Sequence, residues 1–233
     1  MAERGRFTFE VGAHGPVTAC SYRAGDPIDA TLILAHGAGA SQKSPFMVDM
    51  AKRLTRRGID VVTFDFLYME AGKKMPDRTD VLEAAWRAAI ASVRARAGLP
   101  TRRTFIGGKS MGGRIASHVA AADRGLGIRG LVFLGYPLHP PGKPKARRDA
   151  HLANVPFPML FVQGTRDALG TAKEIERVAS TLKGAHVHAV EGGDHSLALP
   201  KSEGPAKQEK ALERAADAIA RFISKQKKET TKR

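Results

Sequence analysis

Short, continuous runs of apolar residues alternate along this chain with longer stretches in which apolar residues recur every three or four positions. The runs TLILAHG, IDVVTFD, RGLVFLG and PMLFVQG have the length and continuity typical of strands that are buried on both faces. The stretches between them have the periodicity of amphipathic helices. Strands that alternate with helices in this way predict the α/β fold class, with a mostly parallel central sheet and helices on both of its faces.

Residue types at the ends of the helical stretches support their boundaries. Ser44 is a favoured N-cap, Pro45 suits the first helical position, and Gly58 can stop the helix. Another helix is predicted from about Thr79, and Trp86 falls on its apolar stripe and is expected in the core. The other predicted elements are an opening hairpin of RFTFEV and PVTACSYR, a strand RTFIGG, a helix AKEIERVASTL, a strand AHVHAV and a final helix over about residues 208–223.

The connection over residues 137–156 is rich in proline. Its five prolines leave room for at most one short helix, around residues 148–153. We therefore expect no large lid domain between the strands RGLVFLG and PMLFVQG.

Composition limits the number of domains and the surroundings of the protein. A chain of 233 residues with 42% hydrophobic content can bury one substantial core, so we predict a single domain over residues 1–225 and a basic, disordered tail over residues 226–233. Cys20 is the only cysteine, which excludes an intramolecular disulfide and favours a reducing compartment. The N-terminal segment lacks the apolar core of a signal peptide, and no apolar run reaches the length of about 20 residues that spans a bilayer. We expect a soluble, cytoplasmic protein with no membrane partner.

The formal net charge of +15 raises the question of a nucleic-acid partner. The excess of Lys and Arg is local, however, and is concentrated in GKPKARR and in the tail KQKKETTKR. Neither a zinc-finger spacing nor an aromatic RNA-binding motif accompanies these runs. A solvated basic face and tail is therefore the preferred interpretation, and nucleic acid is not an expected partner.

Candidate chemistry begins at GGKSMGG, where the strand RTFIGG meets a helix predicted from Met111 onward. Gly108 and Gly112 flank Ser110 in the pattern G-x-S-x-G, in which small neighbours accommodate a serine on a sharp, strained turn from strand to helix. The pattern in this context predicts that Ser110 is a nucleophile.

A serine nucleophile needs a base within hydrogen-bond reach and a carboxylate that orients the base, in the chain order serine, acid, histidine. Asp167 directly follows the strand region PMLFVQG, and His195 lies in the loop after AHVHAV. We predict these two residues as orienting acid and general base. Asp194, beside the histidine, and Asp65, after an earlier strand, stay open as alternative acids.

The oxyanion that develops during acyl transfer needs two amide donors. The amide of Met111 is one candidate, because it directly follows the serine and begins a helix. The second is the amide of Ala38 in AHGAGASQK, where Gly37 and Gly39 allow a close approach of the backbone. The alternative is an ordinary glycine-rich turn in which His36 is structural.

Three further residues, His139, His151 and Lys109, lie near the predicted site. His139 and His151 lie in the proline-rich connection that should border the site, so substrate contact is a hypothesis for both. Nothing in the sequence predicts the effect of Lys109. The chemistry requires neither a metal nor a cofactor.

The motifs HGAGA, GKSMGG, GTRD and GGDHS occur in the order of the α/β-hydrolase superfamily, and over about residues 30–225 the chain resembles its small, lid-free, dienelactone-hydrolase-like group. The resemblance implies Ser110, Asp167 and His195 as the triad, and the amides of Ala38 and Met111 as the oxyanion hole. The chain has serine where dienelactone hydrolases have cysteine, so their lactone substrate does not transfer. The same subfamily resembles a regulatory subunit of a chromatin-modifying complex, in which the fold serves assembly.

The predicted function is that of a serine hydrolase of the carboxylesterase type. It would cleave small or short-acyl carboxylic esters through an acyl-enzyme on Ser110, and thioesters stay open as a second class of substrate. The small-molecule ester is the expected partner. The alternative is a catalytically silent interaction or regulatory module with the same fold, because fold alone does not determine an activity.

Overall fold

A computed structural model of the protein describes residues 4–96, 98–99 and 103–226. Eight strands within these residues form one sheet in the order β1-β2-β4-β3-β5-β6-β7-β8. β1 pairs antiparallel with β2 and β2 antiparallel with β4, whereas all other neighbours are parallel, which confirms the predicted mostly parallel sheet. The strands are β1 (Arg4–Glu10), β2 (Pro16–Tyr22), β3 (Ala30–Ala35), β4 (Ile59–Phe64), β5 (Thr104–Lys109), β6 (Leu131–Leu134), β7 (Met159–Gly164) and β8 (Ala185–Val190).

Helices cover both faces of the sheet, as predicted. Successive side chains of a strand point to opposite faces. In β3, Leu32 and Leu34 pack in the core layer beneath α1 and α6, whereas Ile33 and Ala35 pack in the layer beneath α3, α4 and α5. The helices are α1 (Pro45–Thr55), α2 (Leu67–Glu70), α3 (Thr79–Ala95), α4 (Met111–Ala122), α5 (Ala172–Ala179) and α6 (Gly204–Lys225).

The connection between β6 and β7 contains no inserted lid domain. All of its residues are described, and its only helical element is one turn of 3-10 helix at Ala150–Asn154. This turn overlaps the range of residues 148–153 around which a short helix was predicted. Two other single 3-10 turns occur in the described residues, at Gly12–His14 and Lys201–Glu203.

Helix boundaries differ from the predictions at several points. α6 begins at Gly204, four residues before the predicted start, because a proline fits its first turn. α1 begins at Pro45 as predicted, but the side chain of Ser44 makes no capping hydrogen bond. The segment after β4, predicted as a loop, contains the short helix α2. Residues 227–233 of the predicted basic tail lie outside the described residues.

An ionic cluster joins α1 to α6 on one face of the sheet. The side chain of Arg53 is only 4% exposed and pairs with Asp49 at 2.7 Å, with Glu209 at 2.6 Å and with Glu213. These hydrogen bonds raise the pKa of Arg53 above its ordinary value. Because α6 directly follows the loop that carries His195, the cluster helps to fix one end of that loop.

Two kinds of feature are absent from residues 4–96, 98–99 and 103–226, a membrane span and a metal cluster. None of the helices among them combines the length and the apolar character that crossing a bilayer requires. Nor does this part of the chain bring together three or more His, Cys, Asp or Glu side chains that could hold a metal ion. The single cysteine, Cys20, is buried in β2, where it packs beneath α1 and α6.

Candidate active site

Ser110 lies on the turn between β5 and α4. Its backbone dihedrals, φ +50° and ψ −116°, fall in a region that residues with side chains rarely adopt. The turn is fixed on both sides, because the Ser110 amide donates to the carbonyl of Leu134 at 3.1 Å and its own carbonyl accepts from the amide of Arg114 at 3.1 Å. The strained serine predicted from G-x-S-x-G is therefore present in the structure.

The two flanking glycines are required by the close passage of β3. A Cβ atom on Gly108 would lie 2.2 Å from the carbonyl oxygen of Ala35, and one on Gly112 would lie 2.4 Å from the same oxygen. Trp86, fully buried as predicted, supports the turn by donating from its indole Nε1 to the carbonyl of Gly112 at 3.0 Å. The two glycines thus accommodate the strained serine, as predicted, and also leave room for the backbone of β3.

This packing makes Gly108 sensitive to substitution. We expect Gly108→Ala to lower the free energy of unfolding by about 1–3 kcal/mol, because the added methyl group meets backbone that cannot move aside. Urea unfolding measures the change. Gly25→Ala is the matched control, since a Cβ there meets no atom within 4 Å, and an equal loss in both variants would contradict this steric explanation.

A continuous chain of hydrogen bonds joins the three predicted triad residues. The distance from Ser110 Oγ to His195 Nε2 is 2.8 Å, and that from His195 Nδ1 to Asp167 Oδ2 is also 2.8 Å. An ionised carboxylate can only accept, so His195 Nδ1 carries the hydrogen and Nε2 is free to accept from the serine hydroxyl. In this tautomer, Nε2 of the imidazole is placed to accept the hydroxyl hydrogen of Ser110.

Sheet topology explains why these residues meet although they are far apart in sequence. β5, β7 and β8 are parallel to their neighbours, so the turns after them lie at the same edge of the sheet. The loop that carries His195 also comes very close to β7: a Cβ on Gly164 would lie 2.2 Å from the carbonyl oxygen of Gly193. This contact brings the loop over the turn that carries Asp167.

Gln163 holds the carboxylate of Asp167, although it was not among the residues predicted for the site. Its Nε2 donates to Asp167 Oδ2 at 2.7 Å and to the carbonyl of Gly170 at 2.6 Å, while its Oε1 accepts from the amide of Tyr136 at 2.7 Å. The other carboxylate oxygen of Asp167 accepts from the amide of Leu169 at 2.8 Å. An amide side chain within the apolar run MLFVQG was the available signal, because buried polar groups in strands need partners.

The two alternative acids have other partners. Asp194 Oδ1 accepts two amide groups of its own loop, at 2.7 and 2.9 Å. Asp65 accepts from the amide of Gln42 at 2.7 Å and from the side-chain amide of the same residue at 3.1 Å. Of the three candidate acids, Asp167 is the one hydrogen-bonded to His195.

The predicted oxyanion turn packs directly against the serine. A Cβ on Gly37 would lie 3.3 Å from the Cβ of Ser110, so the turn after β3 borders the hydroxyl. Ala38 is exposed on this turn, Gly39 has a φ of +71°, and Met111 is the first residue of α4. The turn and the helix end thus lie on either side of Ser110, and the oxyanion role of their amides stays a prediction.

His36 fixes the same turn from within the core. It is fully buried, its Nε2 accepts from the amide of Phe66 at 3.1 Å, and its Nδ1 therefore donates to the carbonyl of Gly37 at 2.8 Å. Burial lowers the pKa of His36, so the ring is neutral. His36 can therefore have a structural role in a turn that also forms an oxyanion hole. Its ring binds the carbonyl of Gly37 and does not bind the backbone amides of the residues that follow.

The two histidines of the proline-rich connection have polar contacts with residues other than Ser110, Asp167 and His195. His139 is 6% exposed, and its Nδ1 lies 2.9 Å from the carbonyl oxygen of Pro140 while its Nε2 faces Glu174 Oε1 at 3.4 Å. His151 Nε2 lies 2.7 Å from Ser117 Oγ on α4, and burial lowers the pKa of His151 to about 4. Substrate contact by either histidine stays a prediction.

A mostly parallel sheet with a serine on a strained β5–α4 turn, and with a histidine and an aspartate at the same edge, defines the α/β-hydrolase fold. Comparison with protein families agrees with this class. Residues 28–224 match the family described as an alpha/beta hydrolase domain, and the chain belongs to that family.

Solved structures share this fold at low sequence identity. A lid-free serine hydrolase from Xanthomonas campestris has 21% identity and a TM-score of 0.72, with 96% of this chain and 94% of that chain covered. A dienelactone hydrolase from Anabaena variabilis has 17% identity and a TM-score of 0.74, with 96% and 98% covered. Est1E from Butyrivibrio proteoclasticus, solved with bound ferulic acid, has 13% identity and a TM-score of 0.70, with 94% and 98% covered. Identities this low establish the common fold alone.

Proposed function

We propose that the protein is a serine hydrolase that cleaves small or short-acyl carboxylic esters through an acyl-enzyme on Ser110. The observation that carries the proposal is the hydrogen-bonded chain from Ser110 Oγ through His195 to Asp167, with both distances at 2.8 Å. A serine hydroxyl is a weak nucleophile near neutral pH, and such a chain is what activates it.

In the first half-reaction, His195 Nε2 takes the proton of Ser110 as Oγ attacks the ester carbonyl carbon. The imidazolium that forms is stabilised by the buried carboxylate of Asp167. The amides of Ala38 and Met111 bind the negative oxygen of the tetrahedral intermediate. His195 then protonates the alcohol oxygen, the carbon–oxygen bond of the ester breaks, and the acyl group stays on Ser110.

In the second half-reaction, water replaces the alcohol. His195 removes a proton from the water as it attacks the acyl carbon, and the second tetrahedral intermediate uses the same two amides. His195 returns the proton to Ser110 Oγ, and the acid is released. Every proton is transferred through one imidazole, so the cycle needs no group beyond those of the chain and the water.

The preference for short acyl groups is supported by the β6–β7 connection. A single 3-10 turn is the only helix in this connection, so no inserted domain encloses a long acyl chain beside Ser110. Similar structures include a serine hydrolase described as lacking a lid and an esterase domain from Rhodothermus marinus. We therefore propose that small or short-acyl carboxylic esters are the substrate class.

The test is a series of nitrophenyl esters of increasing acyl length, measured beside labelling with a fluorophosphonate probe. We expect kcat/KM to be highest for acetyl or butyryl esters and to fall by roughly tenfold or more toward long acyl chains. An increase with chain length would overturn the substrate class. If neither turnover nor labelling is detected, the alternative of a catalytically silent module is favoured instead.

A further inference from the structure

Lys109 directly precedes Ser110, and its side chain extends toward the loop that carries His195. Its ammonium donates to the backbone carbonyl of His195, with an Nζ–O distance of 2.5 Å. Its stem passes the turn after β3, since a Cβ on Gly37 would lie 3.5 Å from Lys109 Cγ, and Nζ lies 5.9 Å from the centre of the Phe46 ring. Lys109 thus connects the predicted oxyanion turn to the loop of the base.

The loop that carries His195 depends on side chains for its shape. Leu197 has a φ of +59°, which is unfavourable for a residue with a branched side chain. Asp194 Oδ1 accepts two amides later in the loop, and Gln208 of α6 donates to the carbonyl of Leu197 at 3.2 Å. The contact from Lys109 differs from these because it holds the backbone of His195 itself.

Burial of the charged ammonium of Lys109 destabilises the folded state. Burial lowers the pKa of Lys109 to about 8, although the carboxylates of Asp167 and Asp194 oppose that change. An apolar side chain of similar length could fill the space between Gly37 and Phe46 without this cost. The charged group at this position is therefore better explained by what it binds than by packing.

We propose that Lys109 is a positioning residue, which holds the carbonyl of His195 and thereby fixes the imidazole between Ser110 Oγ and Asp167. The inference rests on the proposed acyl transfer at Ser110. Both hydrogen bonds of the imidazole depend on the place of one loop residue, and a displacement of about 1 Å at a reacting group can cost 100-fold in rate. Lys109 itself touches no reacting atom in this role.

Lys109→Met tests the proposal beside Gln208→Leu, which removes hydrogen bonds to the same loop but none to His195. We expect the lysine variant to lose kcat roughly 10- to 100-fold with little change in KM, and the glutamine variant to keep its kcat. We also expect the Tm of Lys109→Met to be no lower than that of Gln208→Leu. A lower Tm with an unchanged kcat would show a purely structural lysine and overturn the proposal.

The pH profile gives a second readout. The charged or titratable groups near Nζ are Asp167, Asp194 and the imidazole of His195, since a Cβ on Gly135 would lie 3.3 Å from Nζ and 3.4 Å from His195 Nδ1, while Phe46 on the α1 side is uncharged. The ammonium is charged below its pKa of about 8, so kcat of the wild type should decline as pH rises through that value. Lys109→Met should lack this decline, and a wild-type kcat that stays constant through this range would contradict the role of the charge.

Chemical rescue restores the amine without restoring lysine. Lys109→Cys in a Cys20→Ala background can be alkylated with bromoethylamine, which places an ammonium at nearly the original distance from the backbone. We expect most of the lost kcat to return, with the alkaline decline at a lower pH because the sulfur makes the amine less basic. Failure of the alkylated and correctly folded protein to regain kcat would overturn the proposal.

A proton NMR measurement separates this proposal from the proposed function. The hydrogen between His195 Nδ1 and Asp167 should give a low-field resonance in the wild type, and that resonance requires no turnover. We expect it to persist in Gln208→Leu and to be lost or broadened in Lys109→Met. If the wild type hydrolyses no ester, the proposed function fails, while retention of the resonance in Lys109→Met overturns the positioning role.

Discussion

Ser110→Ala is expected to lower kcat/KM for nitrophenyl esters by about 10⁴-fold or more and to abolish fluorophosphonate labelling. The variant keeps the fold, because the serine side chain contacts only His195 among the described hydrogen bonds of the turn. It removes the atom on which the acyl group would form. The loss should therefore appear in kcat, and the Tm should stay close to that of the wild type.

Ser196→Ala is the matched control for this prediction. Ser196 is an exposed serine beside His195, and its recorded hydrogen bond is made by its backbone amide, which the substitution preserves. The Ser196→Ala variant should react with the fluorophosphonate probe and hydrolyse the nitrophenyl esters as the wild type does. Covalent labelling that persists in Ser110→Ala would place the nucleophile elsewhere and would remove the proposed mechanism.

Asp167→Asn is expected to lower kcat by roughly 10³- to 10⁴-fold. A neutral amide cannot stabilise the imidazolium that forms when His195 takes the proton of Ser110. Nor can it replace the hydrogen bonds of the carboxylate, because its NH₂ group would face the donor of Gln163 at Oδ2 or the amide of Leu169 at Oδ1. His195 Nδ1 could accept from that group only in the tautomer whose Nε2 carries a hydrogen and cannot accept from Ser110. Steady-state kinetics over a range of pH measures the loss, and urea unfolding measures the accompanying destabilisation.

Asp194→Asn is the control for Asp167→Asn. Asp194 lies next to His195 in sequence, but its Oδ1 only accepts backbone amides, and an asparagine oxygen can accept them equally well. Its kcat should remain within a few-fold of the wild type. The reverse order of effects would make Asp194 the orienting acid and would show that the hydrogen bond from His195 to Asp167 does not govern the rate.

The larger features of the fold could be predicted because their causes are local. The continuous apolar runs give β3, β4, β6 and β7, and the periodic stretches give the long helices, since both depend on which side chains must leave water. The start of α1 follows in the same way from Pro45, which suits the first helical position. The start of α6 was predicted four residues too late although Pro205 suits a first helical turn, and the short helix α2 was predicted as a loop.

Some residues of the candidate site could likewise be predicted from local sequence, whereas others could be identified only in the structure. G-x-S-x-G at a strand end identifies Ser110, because the strained turn needs particular residues within five positions of one another. The choice among Asp167, Asp194 and Asp65 could only be weighed in the sequence, since it depends on which carboxylate reaches His195. In the structure, the hydrogen-bond partners of all three are visible, and one of them contacts the imidazole.

The sequence by itself determined the fold class, the absence of a large lid and the serine at the turn, because each rests on the pattern of neighbouring residues. The tertiary structure alone decided how Gln163 holds the acid and how Lys109 holds the loop of the base. The carbonyl of His195 lies 86 positions along the chain from Lys109, and the Tyr136 amide that fixes Gln163 lies 27 positions from that glutamine, so parallel strands must bring both pairs together. No local pattern reports such contacts, since the chain between the partners can fold in many ways.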